Sequence, residues 1–437
     1  MGKSIIKIDH MAKVYGHASL EVKIRGREVS QCRLHIEESS RFFERMMKGK
    51  RFDEARRLAP RICGICAASH NITAIMAVED ALGVRPSEQV RQVREALILG
   101  GYVQSHALHG YFLALPDYLG YSGILDMADK YPEHVDRAFR LKRLGNSVIE
   151  ILGGRATHPV TTNVGHFTNS PETGQLNVLL ESLEAGLKDA KATVRLFSSF
   201  KVPDFSGVRR MASLEDGKRY AILTGMPVIA GREMEQKDFL ANIEPEDRPY
   251  STSKFVKSGG REFVVGPLAR MNANHKLLCG EARAALKRSR MKLPNHNPFN
   301  ANIARAVEMV HCIETCIEVI KGIKKANKRS GQPGTSQQAQ YDFKKLRGKR
   351  RGCAITEAPR GMLYHEYSIN RDGFITDSSI FTPTSQNLGP IESDVRAFLP
   401  SVLGRSRQAI ISEIEKLIRS YDPCISCATH FLDVKFS

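Results

Sequence analysis

The sequence predicts a mainly α fold with small β elements, an α+β chain of long central helices with a β-hairpin near its N-terminus. Three observations carry that expectation. Apolar residues recur at helical spacing through residues 87–115, 134–152, 173–199, 299–326 and 390–420. Strict alternation of apolar and polar residues is concentrated in residues 19–36. No internal repeat runs along the chain.

In "SLEVKIRGREVSQCRLHI", Leu20, Val22 and Ile24 alternate, Arg25-Gly26 supplies a turn and Val29 resumes the pattern, which predicts the hairpin. In "SEQVRQVREALILGGYVQSHALHGYFLAL", Val90, Val93, Leu97, Tyr102, Leu108 and Leu115 follow a Ser87 cap, and Pro116 is expected to end the helix. That helix is too long and apolar for a surface, so it is expected to cross the core. Glycine and proline in residues 153–167 and 264–270 predict loops threading a helical body.

The 437 residues allow two or three domains or one elaborate one, and 42% hydrophobic content is that of a globular protein. No run reaches the roughly 18 apolar residues of a membrane span, and the start lacks a signal-peptide core. A soluble protein of the reducing cytoplasm is expected, its nine cysteines being thiols or metal ligands. The net charge of +18 is uneven: residues 321–351 hold eleven Lys or Arg against Asp342 alone. Gly, Ser and Gln in that stretch predict an exposed basic loop or insertion, either solvated or docked on an acidic partner. Nucleic acid is disfavoured, because zinc-finger spacing and aromatic-studded basic motifs are both missing.

The chemistry sits in two phrases, "RICGICAASH" at 61–70 and "DPCISCATH" at 422–430. Cys63, Cys66, Cys424 and Cys427 offer four soft ligands that suit zinc, an iron cluster or nickel. The knuckles of a zinc ribbon usually lie much closer in sequence, so a site closed by folding of the whole body is expected. Cys312 and Cys316, four apart beside His311, read as one apolar helix face, and Cys32, Cys279 and Cys353 as ordinary thiols.

These two phrases, with "SRFFERMMKGK", "SHALHGYFLALPDYLG", "GGRATHP", "VVGPLARMN", "EAPRGMLYHEY" and "PTSQNLGP" in order, resemble the large, catalytic subunit of nickel-iron hydrogenases along essentially the whole chain. The wording is closest to the cytosolic bidirectional branch of methyl-viologen-reducing enzymes and sulfhydrogenases of the alpha type. The resemblance implies that family's fold as one catalytic domain over 1–437, and reversible heterolytic cleavage of H2. By similarity, Cys63 and Cys424 are terminal nickel ligands, while Cys66 and Cys427 bridge nickel to an iron carrying CO and CN. Soft anionic sulfur suits nickel that changes oxidation state. A helix expected after Cys66 would favour its thiolate. His70 is implied as a donor to a bridging sulfur, and Arg360 as the guanidinium over the open metal position, fixed by Asp117 and Asp422. Pro383 and Thr384 are implied to receive the cyanide. Glu44, the carbonyl of Ile380 and His430 are implied to ligate magnesium or another divalent ion.

The first implied partner is an iron-sulfur small subunit; beyond it the resemblance implies flavin, NAD(P) reductase or heterodisulfide reductase subunits. A maturation protease is implied to remove the tail 431–437. One departure stands out. The family motif Arg-(Ile/Val/Leu)-Glu-Gly-His reads "KVYGH" here, so Lys13 replaces the arginine and Tyr15 the proton-relay glutamate. A phenol near pKa 10 is a poor acceptor at neutral pH, which puts proton exit in doubt. Two alternatives therefore stay open: a hydrogenase-derived assembly or electron-transfer subunit with impaired turnover, and a zinc-stabilised nucleic-acid-binding protein.

Overall fold

The computed structural model describes residues 3–330 and 350–429. An antiparallel sheet comes first, formed by β1 (Lys3–Ile8), β2 (Ala18–Arg25) and β3 (Glu28–Ile36) in that order. The expected hairpin is β2–β3, with Val22 opposite Cys32 and Gly26 turning at φ +63°. β1 escaped the sequence reading because Ile5 and Ile6 are adjacent and blur the alternation; it pairs Ile6 with Val22.

Four long helices then build the core: α1 (Ala67–Leu82), α2 (Glu88–Ala107), α3 (Pro132–Gly153) and α4 (Thr173–Ser199). After a stretch of short strands and turns come α5 (Pro267–Asn274), α6 (Gly280–Ser289) and α7 (Ala301–Ser330). Leu97, Leu141, Leu183, Val307 and Ile313 meet in one buried cluster among α2, α3, α4 and α7. Each such side chain contributes roughly 1.5–3 kcal/mol on burial. Helices α2 and α3 approach closely because of Gly145, where an added Cβ would lie 2.4 Å from the Gln104 backbone nitrogen.

The Ser87 cap is present, its hydroxyl accepting from the Val90 N–H. Pro116 does not end the rod. The chain passes through a π-helical stretch, Leu108–Ala114, into a last helical piece, Leu115–Leu119, whose first turn tolerates a proline with no N–H to offer. Residues 264–270, expected as a loop, include the start of α5, since Pro267 sits where a helix begins and follows Gly266 at φ +119°. The span 390–420 is two helices, α8 (Pro383–Phe398) and α9 (Arg407–Ser420), the second capped by Ser406. The basic stretch 321–351 begins as the end of α7, and residues 331–349 and 430–437 lie outside the described residues.

A second antiparallel sheet, β4 (Arg350–Ala358), β5 (Gly361–Ile369) and β6 (Ile375–Phe381), was invisible to periodicity. Seven successive residues of β4 and all nine of β5 are buried, so no polar face marks every second position. The sheet lies against α1 through Gly352, where a Cβ would come within 2.0 Å of the Ala81 nitrogen. No helix among the described residues is long and apolar enough to cross a membrane.

Candidate metal centre

Folding closes the gap between the two cysteine phrases. Cys63 follows a 3-10 turn, Ala59–Ile62, and Cys66 is the N-cap of α1, as the sequence led one to expect. Cys424 lies just past α9, and Cys427 stands in the single helical turn Ile425–Ala428. The Sγ atoms of Cys63 and Cys424 are 3.5 Å apart across 361 positions of sequence. Cys424 and Cys427 Sγ are 2.9 Å apart, and the Cys66 N–H donates to Cys63 Sγ at 3.2 Å. All four are buried in one cluster with Tyr15 and Ile65 packed against it.

The donor set fits a metal. The sulfurs of Cys63, Cys424 and Cys427 all lie within 4.8 Å of one another, close enough to share an ion. Hydrogen bonds from Cys424, Cys427 and Cys66 pull the Cys63 thiol well below its ordinary range, while burial and then bonds to the other three push Cys427 up. A soft cation would relieve that competition by binding all the sulfurs as thiolates.

Arg360 supplies the fixed positive charge. Its Nη1 donates to Cys66 Sγ at 3.0 Å, its Nε to the Asp422 carbonyl at 2.7 Å and its Nη2 to Asp422 Oδ1 at 3.0 Å. Burial opposes the charge, but Asp422, Cys66 and Cys424 hold it, so Arg360 stays protonated. Asp422 takes a left-handed φ of +56° immediately before Pro423, a strained position for a non-glycine residue, and the double grip of Arg360 stabilises it.

Asp117 requires a correction. The resemblance implied that it fixes Arg360, but its Oδ1 is paired with Lys13 and its Oδ2 accepts from Arg419 Nη1 at 2.6 Å. With both oxygens engaged by those cations, the direct clamp on Arg360 belongs to Asp422. His70 lies one helical turn beyond Cys66, its N–H bonded to the Cys66 carbonyl. Its Nδ1 is 3.0 Å from His365 Nε2, and His365 Nδ1 is 2.8 Å from the Tyr367 hydroxyl. Pro383 and Thr384 open α8, and the Thr384 hydroxyl accepts from the Cys424 N–H at 3.0 Å. Glu44 Oε1 accepts from the Ile380 N–H at 2.6 Å, and burial pushes its carboxyl up to about 7. His430 lies outside the described residues.

Tyr15 runs beside Cys424 as a parallel bridge, its carbonyl accepting from the Ile425 N–H at 2.7 Å. Its side chain is half-buried, yet the hydroxyl oxygen is enclosed without a hydrogen-bond partner among the described residues. Burial, then the charge of Asp422, raises its pKa well above 10.

Sequence reasoning missed Arg41, whose N–H donates to the Thr429 carbonyl while its guanidinium bonds the carbonyls of Ile62 and Arg61. That residue ties the ends of both cysteine phrases together. Its place in "SRFFERMMKGK", within the quoted similarity, was the available signal.

A family model of the nickel-dependent hydrogenases matches residues 41–136 and 215–430. The alpha chain of sulfhydrogenase 1 from Pyrococcus furiosus is 34% identical over 430 residues, spanning 97% of each chain. One chain of the F420-non-reducing hydrogenase from Methanothermobacter marburgensis is 27% identical, over 98% of this chain and 95% of that one. In fold, the chain resembles one from the crystal structure of an NAD+-reducing NiFe hydrogenase in the H2-reduced state, at TM-score 0.84 and 25% identity, covering 98% of this chain and 99% of that chain. Agreement in sequence and fold over nearly the full length, joined at a buried four-cysteine cluster, makes this chain a member of the nickel-dependent hydrogenase family, the catalytic component of an oxidoreductase that acts on hydrogen.

Proposed function

We propose that Cys63, Cys66, Cys424 and Cys427 hold a nickel-iron centre whose iron carries CO and CN, and that the residues around it serve reversible, heterolytic cleavage of H2. The observation that carries this reading is the convergence of the four sulfurs beneath one buried guanidinium. When bound, such a centre supplies the soft metal chemistry that splits H2 and accepts its electrons. Arg360 keeps a positive charge beside Cys66 and orients through Asp422. Ile65 and Tyr15 pack against the buried sulfurs, and in that low-dielectric setting the guanidinium attracts the sulfur beside it more strongly than it would in water. Pro383 and Thr384, at the start of α8, are suited to receive the cyanide.

Protons must leave through this chain's own groups. The Tyr15 hydroxyl is a poor acceptor, whereas Asp422 is the carboxylate bonded directly to Arg360, and its second oxygen, Oδ2, is enclosed without a partner among the described residues. That side is the exit we favour. Glu21, another candidate, is tied to Lys7 and Lys23 on the N-terminal sheet.

Magnesium, or another divalent ion, is proposed at Glu44, the Ile380 carbonyl and His430. A buried carboxylate pushed up to about 7 is the kind of group that a hard cation stabilises in its charged form.

Each H2 yields two electrons, and an iron-sulfur small subunit is proposed to take them on the cysteine side. Phe42 and Met46 are exposed there, next to the Arg41 that joins the two cysteine phrases. Flavin, NAD(P) reductase or heterodisulfide reductase subunits would then follow. The similarity to the beta chain of the NAD-reducing hydrogenase HoxS of Cupriavidus necator, 28% identical over 97% of this chain, favours an NAD(P) reductase. A cytoplasmic setting agrees with nine free thiols. Metal analysis and infrared spectroscopy of the purified complex test the reading. About one nickel per copy of this chain, iron beyond what the small subunit's clusters account for, and CO and CN bands are expected; zinc alone, or no metal on this chain, would overturn it.

A further inference from the structure

Arg360 sits at the tip of a two-residue hairpin. β4 ends at Ala358 opposite Gly361, the first residue of β5, so Pro359 and Arg360 form the turn. The front of this tip faces Cys66 and Asp422. Its back is gripped by residues that touch neither.

Arg270, on α5, is fully buried and places all of its donors. Its Nη1 donates to the Ala358 carbonyl at 3.0 Å and its Nη2 to the Pro359 carbonyl at 2.9 Å. Nε and Nη2 reach the two oxygens of Glu308 at 2.7 and 2.8 Å, and Nη1 reaches Glu357 Oε2 at 2.9 Å. Five N–H groups meet five acceptors, the full capacity of a guanidinium. The Tyr102 hydroxyl adds contacts to the carbonyls of Glu357 and Ala358 at 3.0 and 3.1 Å, and its ring lies 5.1 Å from the Arg270 guanidinium carbon.

Glu308 is equally saturated. Besides Arg270 it receives the Tyr220 hydroxyl at 2.6 Å and His106 Nε2 at 2.9 Å. Three consecutive carbonyls, 357 to 359, thus hang on one side-chain assembly directly behind Arg360. Burying so many charges is an expensive way to gain stability alone, and a buried network with its hydrogen bonds satisfied rigidifies what it holds.

We propose that Arg270, braced by Glu308 and Tyr102, is a positioning residue that sets where the Arg360 guanidinium stands over Cys66, so that hydrogen turnover depends on groups remote from the sulfurs. This inference rests on the hydrogenase reading above. Lysine at position 270 would keep a charge for Glu308 but lose the planar fork that reaches both carbonyls.

The test uses the enzyme purified with its partner subunits and compares Tyr102→Phe, Arg270→Lys and, as a reference, Arg360→Lys. Four readouts are taken: nickel and iron content, H2/D2 exchange per nickel, infrared frequencies of the CO and CN bands, and amide hydrogen exchange across residues 353–363. For Tyr102→Phe we expect unchanged metal, roughly five- to tenfold slower turnover and faster amide exchange at the tip. For Arg270→Lys we expect a loss of about 10²-fold per nickel, with bands shifted in the direction seen in Arg360→Lys. Unchanged turnover and amide protection in Tyr102→Phe overturns the proposal, and that variant decides the matter alone if Arg270→Lys does not fold. Activity lost only in proportion to metal would also overturn it, reducing the network to a folding staple. An unmutated complex without nickel or turnover would instead bring down the hydrogenase reading, leaving amide exchange to decide whether Arg270 and Tyr102 hold the tip.

Discussion

The Arg360 guanidinium carbon lies 4.7 Å from the centre of the Tyr15 ring, so the tyrosine covers the cationic side chain it stands beside. A cation over an aromatic face is favourable by about 0.5–2 kcal/mol. Tyr15 is therefore read as packing for Arg360.

Tyr15→Phe keeps the ring and removes a hydroxyl that has no partner among the described residues, so H2 turnover per nickel should stay within about twofold of the unmutated enzyme. Tyr15→Glu should raise turnover and lower the solvent deuterium isotope effect, because a carboxylate exchanges protons near neutral pH far more readily than a phenol. Rates and isotope effects of both variants at equal metal content decide this, and a large loss in Tyr15→Phe would restore the phenol as a carrier.

Serine at position 63, 66, 424 or 427 should abolish turnover and lower nickel content, because an alcohol is harder than a thiol and far less readily ionised. Elemental analysis beside H2 consumption measures it. Full activity in any one of the four would remove that residue from the ligand set.

Asp394 offers a pH test away from the cysteines. Buried on α8, with the Tyr421 hydroxyl and the Val208 N–H as donors, its carboxyl is raised by burial to about 6. A raised acid favours the folded state fully below its unfolded pKa near 4, and that contribution is lost as pH climbs through 6. The penalty at neutral pH is on the order of 3 kcal/mol. Asp394→Asn should match the unmutated protein in thermal unfolding near pH 4 and exceed it near pH 7.5. A melting difference that does not grow with pH would contradict this.

Maturation should leave a chain that ends at His430. Thr429 is buried with its carbonyl bonded to the Arg41 N–H, so the end of the second cysteine phrase is held inside the protein. Intact-mass measurement of the active complex should show Phe431–Ser437 missing. A metal-loaded, active chain that retains all seven residues would refute the cleavage.

Local chemistry was legible in the sequence because it is written locally. The period of Leu97, Tyr102 and their neighbours announces a buried helix wherever it later packs, and α4 spans the stretch its apolar spacing marked. The type and spacing of Cys63, Cys66, Cys424 and Cys427 announced a soft-metal site, and the motifs around them announced the family. The sheet β4–β6 was illegible for a physical reason: burial on both faces erases the alternation by which a strand declares itself.

Partnerships between distant residues were decided only by the tertiary structure. Nothing near Asp117 in the chain says that Lys13 and Arg419 will take its two oxygens, leaving Arg360 to Asp422. Nothing in "VVGPLARMN" says that Arg270 will grip the carbonyls of Ala358 and Pro359. Which acceptor a buried guanidinium finds depends on where packed helices and sheets bring backbone oxygens within about 3 Å, and packing is a property of the whole chain.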